Sequence, residues 1–359
     1  MDSTGGTPVQ PAGEDAYAAE RNARDLRNGE TDLKSWAMVA RPALTDPQSF
    51  LLSLVAILIL AASAALTLQT SLRIVSLPAP IAVLFCPLLI PPDAPILRAA
   101  ASILSIDAMF RLVELFRHGG PLSLGARLRF LASFPIFLSL ADLRARARRP
   151  GVGAAKDWWK LILGSGGFAV CWMILEACSS HAALRADPLL DHTFKLVLFV
   201  MAVEMGAQAL CGLERIAGFR TKPLVSRTWL SATPAEFWRR WNDRVHRWLF
   251  SHVFQICGGS GRPARGIWCV CLFSGAFHEL MFGIATSRFD GYQFAFFTMQ
   301  APAILLSGKL KAFARQHGVA GRALSRAGTV LWFWATSLLF FHGVDRVVPI
   351  YYTSAPWLP

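Results

Sequence analysis

Charge is what this sequence has least of. Only 16% of its 359 residues are charged and 54% are hydrophobic, which excludes an ordinary soluble domain, where about a quarter of residues carry charge. Acidic residues are the scarcer sign, 23 against 36 basic, leaving a net charge of +13. Such an excess would suit a nucleic-acid partner, but the cations fall between apolar runs. That is how a membrane protein distributes them to fix its orientation, so no nucleic acid is needed to explain them. Cysteine is sparse and scattered, at Cys86, Cys171, Cys178, Cys211, Cys257, Cys269 and Cys271. None has a histidine at ligand spacing, and Cys269 and Cys271 face different directions on a helix, which argues against a disulfide framework or a metal site. There is no Gly-x-x-x-x-Gly-Lys; the stretch at 258–261 follows no strand and is a turn, not a nucleotide loop. The absence of an internal repeat counts against a transporter built from two halves. Residues 1–49 contain no apolar run; rich in Gly, Pro and Ala and then in mixed charge, they are expected to carry no secretory signal and to form a flexible arm.

What the chain does have is apolar segments near the ~20 residues that cross hydrocarbon. They lie at 50–69, 77–92, 160–178, 193–212, 266–285, 291–308 and 329–344. The second is short and interrupted by Pro80 and Pro87. Segment 98–117 pairs a hydrophobic face with Asp107, Arg111 and Glu114, and 122–143 resembles it before a basic run at 144–149, so both are expected to be interfacial. About seven spans, within six to nine, then place the basic connections 93–159, 213–265 and 309–328 on one side together with the arm. The expected fold is all-α: a polytopic integral membrane protein with a multi-pass domain over 50–359.

Two stretches carry the chemistry. In the first, Thr233 is a good N-cap, Pro234 suits the first helical position and Glu236 stands where a capping box wants its acid. Projected as one helix, Phe237, Trp238, Trp241, Val245, Trp248 and Leu249 share a face, while Arg239, Arg240, Asp243 and Arg247 take the other, with Asn242 and Arg244 on the borders. A helix of this kind can simply lie on a membrane surface; the same cations can also draw in a polyanionic cosubstrate. The second stretch puts His278 and Glu279 inside an apolar run, at a depth where ionisable groups are expensive and usually functional, although such a histidine can instead bond a neighbouring helix or line a wet pocket. Helical geometry points His278 and Glu279 about 100° apart and leaves Ser274 as the neighbour of His278 on its own face. Glu176 and Glu204 also sit within spans and can line a polar cavity or reach water. His181, His192, His317 and His342, at connections or helix ends, are expected to be bystanders.

Phe237-Trp238-Arg239-Arg240-Trp241-Asn242 followed by Ser274-Gly275-Ala276-Phe277-His278-Glu279 resembles the wax synthase-like branch of the membrane-bound O-acyltransferase (MBOAT) superfamily. Many members of that branch carry Phe-Trp-Gly-x-x-Trp-Asn/His ahead of a span with Ser-Gly-x-x-His-Glu. The likeness is concentrated in 220–300, and the chain departs from it in having Arg239 where many relatives have glycine. The resemblance implies an acyl-CoA:alcohol O-acyltransferase with His278 catalytic and Asn242 beside it. Acyl-CoA is then a cosubstrate, and no bound cofactor or metal is required. In such a reaction His278 would take the proton of an attacking hydroxyl, and Asn242 would donate to the developing oxyanion or position the thioester. Arg239, Arg240, Arg244 and Arg247, with Trp238 and Trp241, would meet CoA, and Glu279 and Ser274 would support the site. The partners expected are acyl-CoA, a lipophilic alcohol and membrane lipids, with a homodimer compatible. A bacterial inner membrane, or the endoplasmic reticulum in a eukaryote, is the expected location. Two other readings stay open: acetyl transfer to a sterol, terpenoid, polyketide or glycan hydroxyl, and a non-catalytic membrane protein that binds or moves lipid or solute through a His278–Glu279 relay.

Overall fold

A computed structural model describes residues 47–68, 77–118, 122–144, 154–181, 184 and 186–350. Most of the N-terminal arm and the basic run at 145–149 lie outside them. The described elements are helices, with no strand among the described residues, as the unbroken apolar segments require in hydrocarbon, where each backbone group must bond within its own helix. Five helices are long and apolar enough to cross a membrane: α1 (Pro47–Thr67), α6 (Ala154–Ser180), α7 (Pro188–Ile216), α10 (Pro263–Thr286) and α12 (Gly318–Val347).

Two expected spans are not among these five. Segment 77–92 is a short α2, an α-helical turn at Ala79–Ala82 running into a 3-10 helix at Val83–Leu89 that contains Pro87. The other, α11 (Tyr292–Gln316), has 25 residues but carries Lys309, Lys311 and Arg315 toward its end. Segment 98–117, expected to be interfacial and not a free span, is likewise not among the five. It forms α3 (Pro95–Arg117), a helix packed into the bundle with Arg98, Asp107 and Arg111 buried. Burial is tolerable because each of these side chains finds internal partners, with Arg111 Nε left without one among the described residues. Arg98 donates to the Ile90 carbonyl at 2.7 Å and the Ile284 carbonyl at 3.0 Å, and Arg111 pairs with Asp107 at 2.8 Å and donates to the Pro135 carbonyl at 2.7 Å. Segment 122–143 breaks into α4 (Leu124–Leu131) and α5 (Leu140–Arg144). Asp107 accepts from the Phe137 N–H at 2.7 Å, and Glu114 accepts from the Leu140 N–H at 2.8 Å, so α3 holds the loop between them.

The bundle is assembled from neighbours in sequence. Helices α10, α11 and α12 pack consecutively, α1, α2 and α3 form a second group, and α10 bridges the two by packing on α3. Helices α6 and α7 form a close hairpin. A Cβ at Gly164 would lie 2.5 Å from the Ala209 amide nitrogen, and one at Gly212 would lie 2.6 Å from the Asp157 carbonyl oxygen, so glycine is what permits the approach. Between these layers lie the short helices α8 (Pro234–Trp241) and α9 (Asp243–Leu249), which continues into a π-helical turn at Phe250–Phe254. Their seat is aromatic: Trp248 stacks on Phe110 of α3 at 3.8 Å and donates to its carbonyl at 3.2 Å.

Candidate active site

The start of α8 is fixed to the bundle by its cap. Thr233 Oγ1 accepts the Glu236 N–H at 3.3 Å, and Glu236 reaches back to the Ala232 N–H at 3.0 Å, one residue before the capping-box position. The Ala232 carbonyl in turn takes Ser325 Oγ at 2.5 Å and Thr329 Oγ1 at 3.2 Å from α12, and the Ala235 N–H donates to Ser307 of α11. The single helix projected across 234–249 does not form. Asn242 leaves helical geometry at φ −152°, ψ 87°, ends α8 and caps α9, its Oδ1 accepting the Val245 N–H at 3.2 Å. This commits the amide oxygen and leaves the two Nδ2 donors uncommitted among the described residues.

His278 stands on α10, its ring stacked on Phe297 of α11 at 3.9 Å. Nδ1 lies 2.8 Å from the Ser274 carbonyl. A carbonyl only accepts, so Nδ1 carries the proton and the lone pair is on Nε2. Adjacent in sequence, Glu279 is turned to another task. Its carboxylate accepts the N–H groups of Asp290 and Gly291 at 2.9 and 2.8 Å and those of Gln293 and Phe294 at 3.1 and 3.2 Å, closing the start of α11.

Two cavities meet at this histidine. The first, about 780 Å³, lies between α7 and α12 and includes Val200, Glu204 and Phe341 in its wall. The second, about 600 Å³, lies among α3, α8, α9, α10 and α11 and is lined by Asn242, Val245, His246, Val270 and Ser274. Trp238, Trp241, His278 and Phe297 line both. They are the partition, and His278 is its one ionisable group. Val197, Met201 and Val330 of the first cavity are also about half exposed on the outside of the bundle, at 51%, 47% and 55%. The first cavity therefore adjoins an apolar outer surface, and the second does so too at Phe250 and Ile103, 46% and 39% exposed.

The sequence model of the MBOAT, membrane-bound O-acyltransferase family matches residues 189–342, from α7 to α12 and across the partition. The match covers less than half of the chain, which over this region is similar to the MBOAT superfamily. Similar proteins include diacylglycerol O-acyltransferase 1B of Glycine max, 26% identical over 141 residues, which are 39% of this chain and 26% of that one. Diacylglycerol O-acyltransferase 1 of Arabidopsis thaliana is 27% identical over 125 residues, 34% of this chain and 22% of the relative. The probable sterol O-acyltransferase 2 of Schizosaccharomyces pombe is 24% identical over 153 residues, 41% and 31% of the two chains. The chain thus matches about a quarter of the length of the diacylglycerol relatives. The matched region supplies the first cavity and most of the second, while α3 and the loop at Ile136 and Phe137, before it, supply the rest of the second.

Within this matched region the arginines part company. Arg244 is buried, donating to both Glu214 oxygens at 2.8 and 2.5 Å and to the carbonyls of Ile136 and Lys222 at 2.7 and 3.2 Å, so it is a structural tie and is withdrawn from any cosubstrate. Arg240 is paired with Glu236 at 2.6 Å, and Arg247 with Asp142 at 3.0 Å and Asp243 at 3.3 Å. Arg239 is exposed and makes no ion pair among the described residues. Trp238 and Trp241, expected near CoA, stand in the partition, and Ser274 supports His278 through its backbone. Sequence reasoning passed over Phe297, one phenylalanine in an aromatic-rich helix, and His246, although its place four residues after Asn242 is a readable signal. Burial pushes the His246 imidazole below its ordinary range, opposed by Asp243 and reinforced by Arg239 and Arg247, so a neutral ring lines the second cavity. Among the described residues no cluster of His, Cys, Asp or Glu is arranged to hold a metal.

Proposed function

We propose that this protein transfers an acyl group from acyl-CoA to the hydroxyl of a lipophilic alcohol, with His278 as general base. The observation that carries the reading is the place of His278 in a wall common to two cavities, with Nδ1 committed to Ser274 and Nε2 left as a proton acceptor. The acyl donor occupies the second cavity, beside Asn242, His246 and the exposed Arg239, and the alcohol enters the first from the bilayer. Nε2 takes the hydroxyl proton as the alcohol oxygen attacks the thioester carbonyl. The Asn242 amide donates to the oxyanion, a contribution on the order of 3 kcal/mol for such donors. Collapse expels the thiolate, which recovers the proton from His278. No covalent acyl-enzyme is needed, because the thioester is already activated. With 77–92 and α11 crossing in addition to the five, the basic connections and the acyl-CoA side lie in the cytoplasm, which fits a bacterial inner membrane, or the endoplasmic reticulum in a eukaryote.

A long-chain alcohol, giving a wax ester, is the acceptor suggested by the paired motifs. The names of the similar proteins, diacylglycerol and sterol O-acyltransferases, favour a second reading in which the acceptor is bulkier. The test is transfer from labelled palmitoyl-CoA or acetyl-CoA to fatty alcohols, diacylglycerol and sterols in membranes containing wild type or His278→Ala. Ester made by wild type and lost in the variant at equal protein level is expected. Ester made equally by both would remove His278 from the chemistry.

A further inference from the structure

A histidine base becomes a cation as it takes its proton, and a cation away from water needs a partner. In the serine–histidine–aspartate arrangement a carboxylate bonded to Nδ1 supplies it. His278 has no such carboxylate. Its Nδ1 meets the neutral Ser274 carbonyl at 2.8 Å, and no charged side chain bonds the ring among the described residues. Glu279, next in sequence, accepts four backbone N–H groups at the start of α11. Glu204, the carboxylate in the wall of the first cavity, accepts the Arg227 N–H at 2.5 Å.

What lies against the His278 ring is Phe297 of α11. The two centroids are 3.9 Å apart and the planes 30° from parallel, so the imidazole sits over the phenyl face. That face carries the negative part of the ring quadrupole and attracts a cation placed over it, most strongly where water is excluded. Phe297 is 6% exposed. It is also held from its sides: Phe296 meets it edge-on at 82° with centroids 5.0 Å apart, and Trp238 of α8 meets it at 42° and 5.4 Å. Turning the imidazole about χ2 would break both the Ser274 hydrogen bond and the stack, so Nε2 is left with one direction.

Resting on the acyl-transfer reading, we propose that Phe297 is a positioning residue for the base: its aromatic face fixes the direction of Nε2 and stabilises the imidazolium formed when Nε2 takes the hydroxyl proton. The face stands where a triad has its carboxylate. The charge lasts from the transfer of the hydroxyl proton until that proton passes to the departing thiolate. An interaction made only with the charged ring lowers the barrier and leaves substrate binding as it is, so its loss is read in kcat and not in KM.

The experiment measures kcat and KM for donor and acceptor in wild type, Phe297→Leu, Phe297→Tyr and His278→Ala, using the pair from which wild type makes ester in the assay above. Leucine keeps an apolar side chain and removes the π face; tyrosine keeps the face. Each variant is assayed well below its own melting temperature. Phe297→Leu is expected to lose kcat on the order of tenfold, with both KM values within about twofold of wild type. Phe297→Tyr is expected to restore kcat to near wild type. A ring that only filled space between the cavities would show its loss in KM. Wild-type kcat in Phe297→Leu, an effect confined to KM, or a Phe297→Tyr variant as slow as Phe297→Leu would each overturn the proposal. His278→Ala separates this result from the parent reading: full ester formation in that variant removes the base itself, whereas ester lost there and wild-type kcat in Phe297→Leu removes only the part given to Phe297. No ester from wild type with any pair removes both.

Discussion

Asn242 divides its amide between structure and chemistry. Its oxygen caps α9 through the Val245 N–H, and only the nitrogen is left for the second cavity. Asn242→Asp keeps an oxygen for the cap and loses the donor. It is expected to retain thermal stability in detergent while turnover falls on the order of a hundredfold. Asn242→Ala loses the cap as well, at about 1 kcal/mol. Wild-type turnover in Asn242→Asp would rule out the amide as oxyanion donor. The arginines separate by the same logic. Arg244→Gln leaves Glu214 buried without its charge partner and is expected to destabilise the fold by about 3–5 kcal/mol. Arg239→Gln touches no ion pair among the described residues, so its expected effect is a higher KM for acyl-CoA at unchanged melting temperature. Equal melting temperatures for the two variants would contradict the division.

At the scale of elements, sequence was a good guide to what is local. The Thr233–Glu236 cap is written within a few residues of itself, and the structure keeps it. What was hidden is long-range. Nothing near Arg98 announces that the Ile284 carbonyl accepts its hydrogen bond, and nothing near Arg244 announces Glu214, so sequence leaves both guanidinium groups without partners. The break at Asn242 was masked because flanking residues on both sides favour helix, and the apolar face continues across it. Helix α8 also gives a pH prediction. Burial acts to raise the Glu236 carboxyl, but the Ala232 N–H and Arg240 outweigh it and hold it below its ordinary value. Between the folded pKa and the unfolded one near ~4.3 the unfolded chain binds more protons, so stability rises with pH there. The contribution is complete above the unfolded value and is lost as pH falls through the lower folded one. Glu236→Gln is therefore expected to melt below wild type at neutral pH, with the gap closing in that acid window. A gap constant with pH would mean that the charge of Glu236 does not hold α8.

Across the whole molecule, the acyl-transfer proposal gives the partition the task of letting two substrates with different solvents reach one base. The first cavity lies against α7 and α12, and the second lies against α8 and α9, which carry Arg239, Arg240 and Arg247. Val200 lines only the first and Val270 only the second, which lets each be narrowed alone. Trp at either position adds volume at an overpacking cost of typically about 1–3 kcal/mol, so each variant is compared at a temperature well below its melting point. Val200→Trp is expected to raise KM for the alcohol on the order of tenfold and leave KM for acyl-CoA near wild type, a loss of uniform binding confined to one substrate. Val270→Trp is expected to do the reverse and to shift preference toward shorter acyl chains, since the added indole shortens the space beyond the thioester. Opposite assignments of the two KM effects would exchange the roles of the cavities while keeping His278 between them. Equal effects of both variants on both substrates would mean that the two volumes act as one chamber, and the partition of Trp238, Trp241 and Phe297 would then have no part in sorting donor from acceptor.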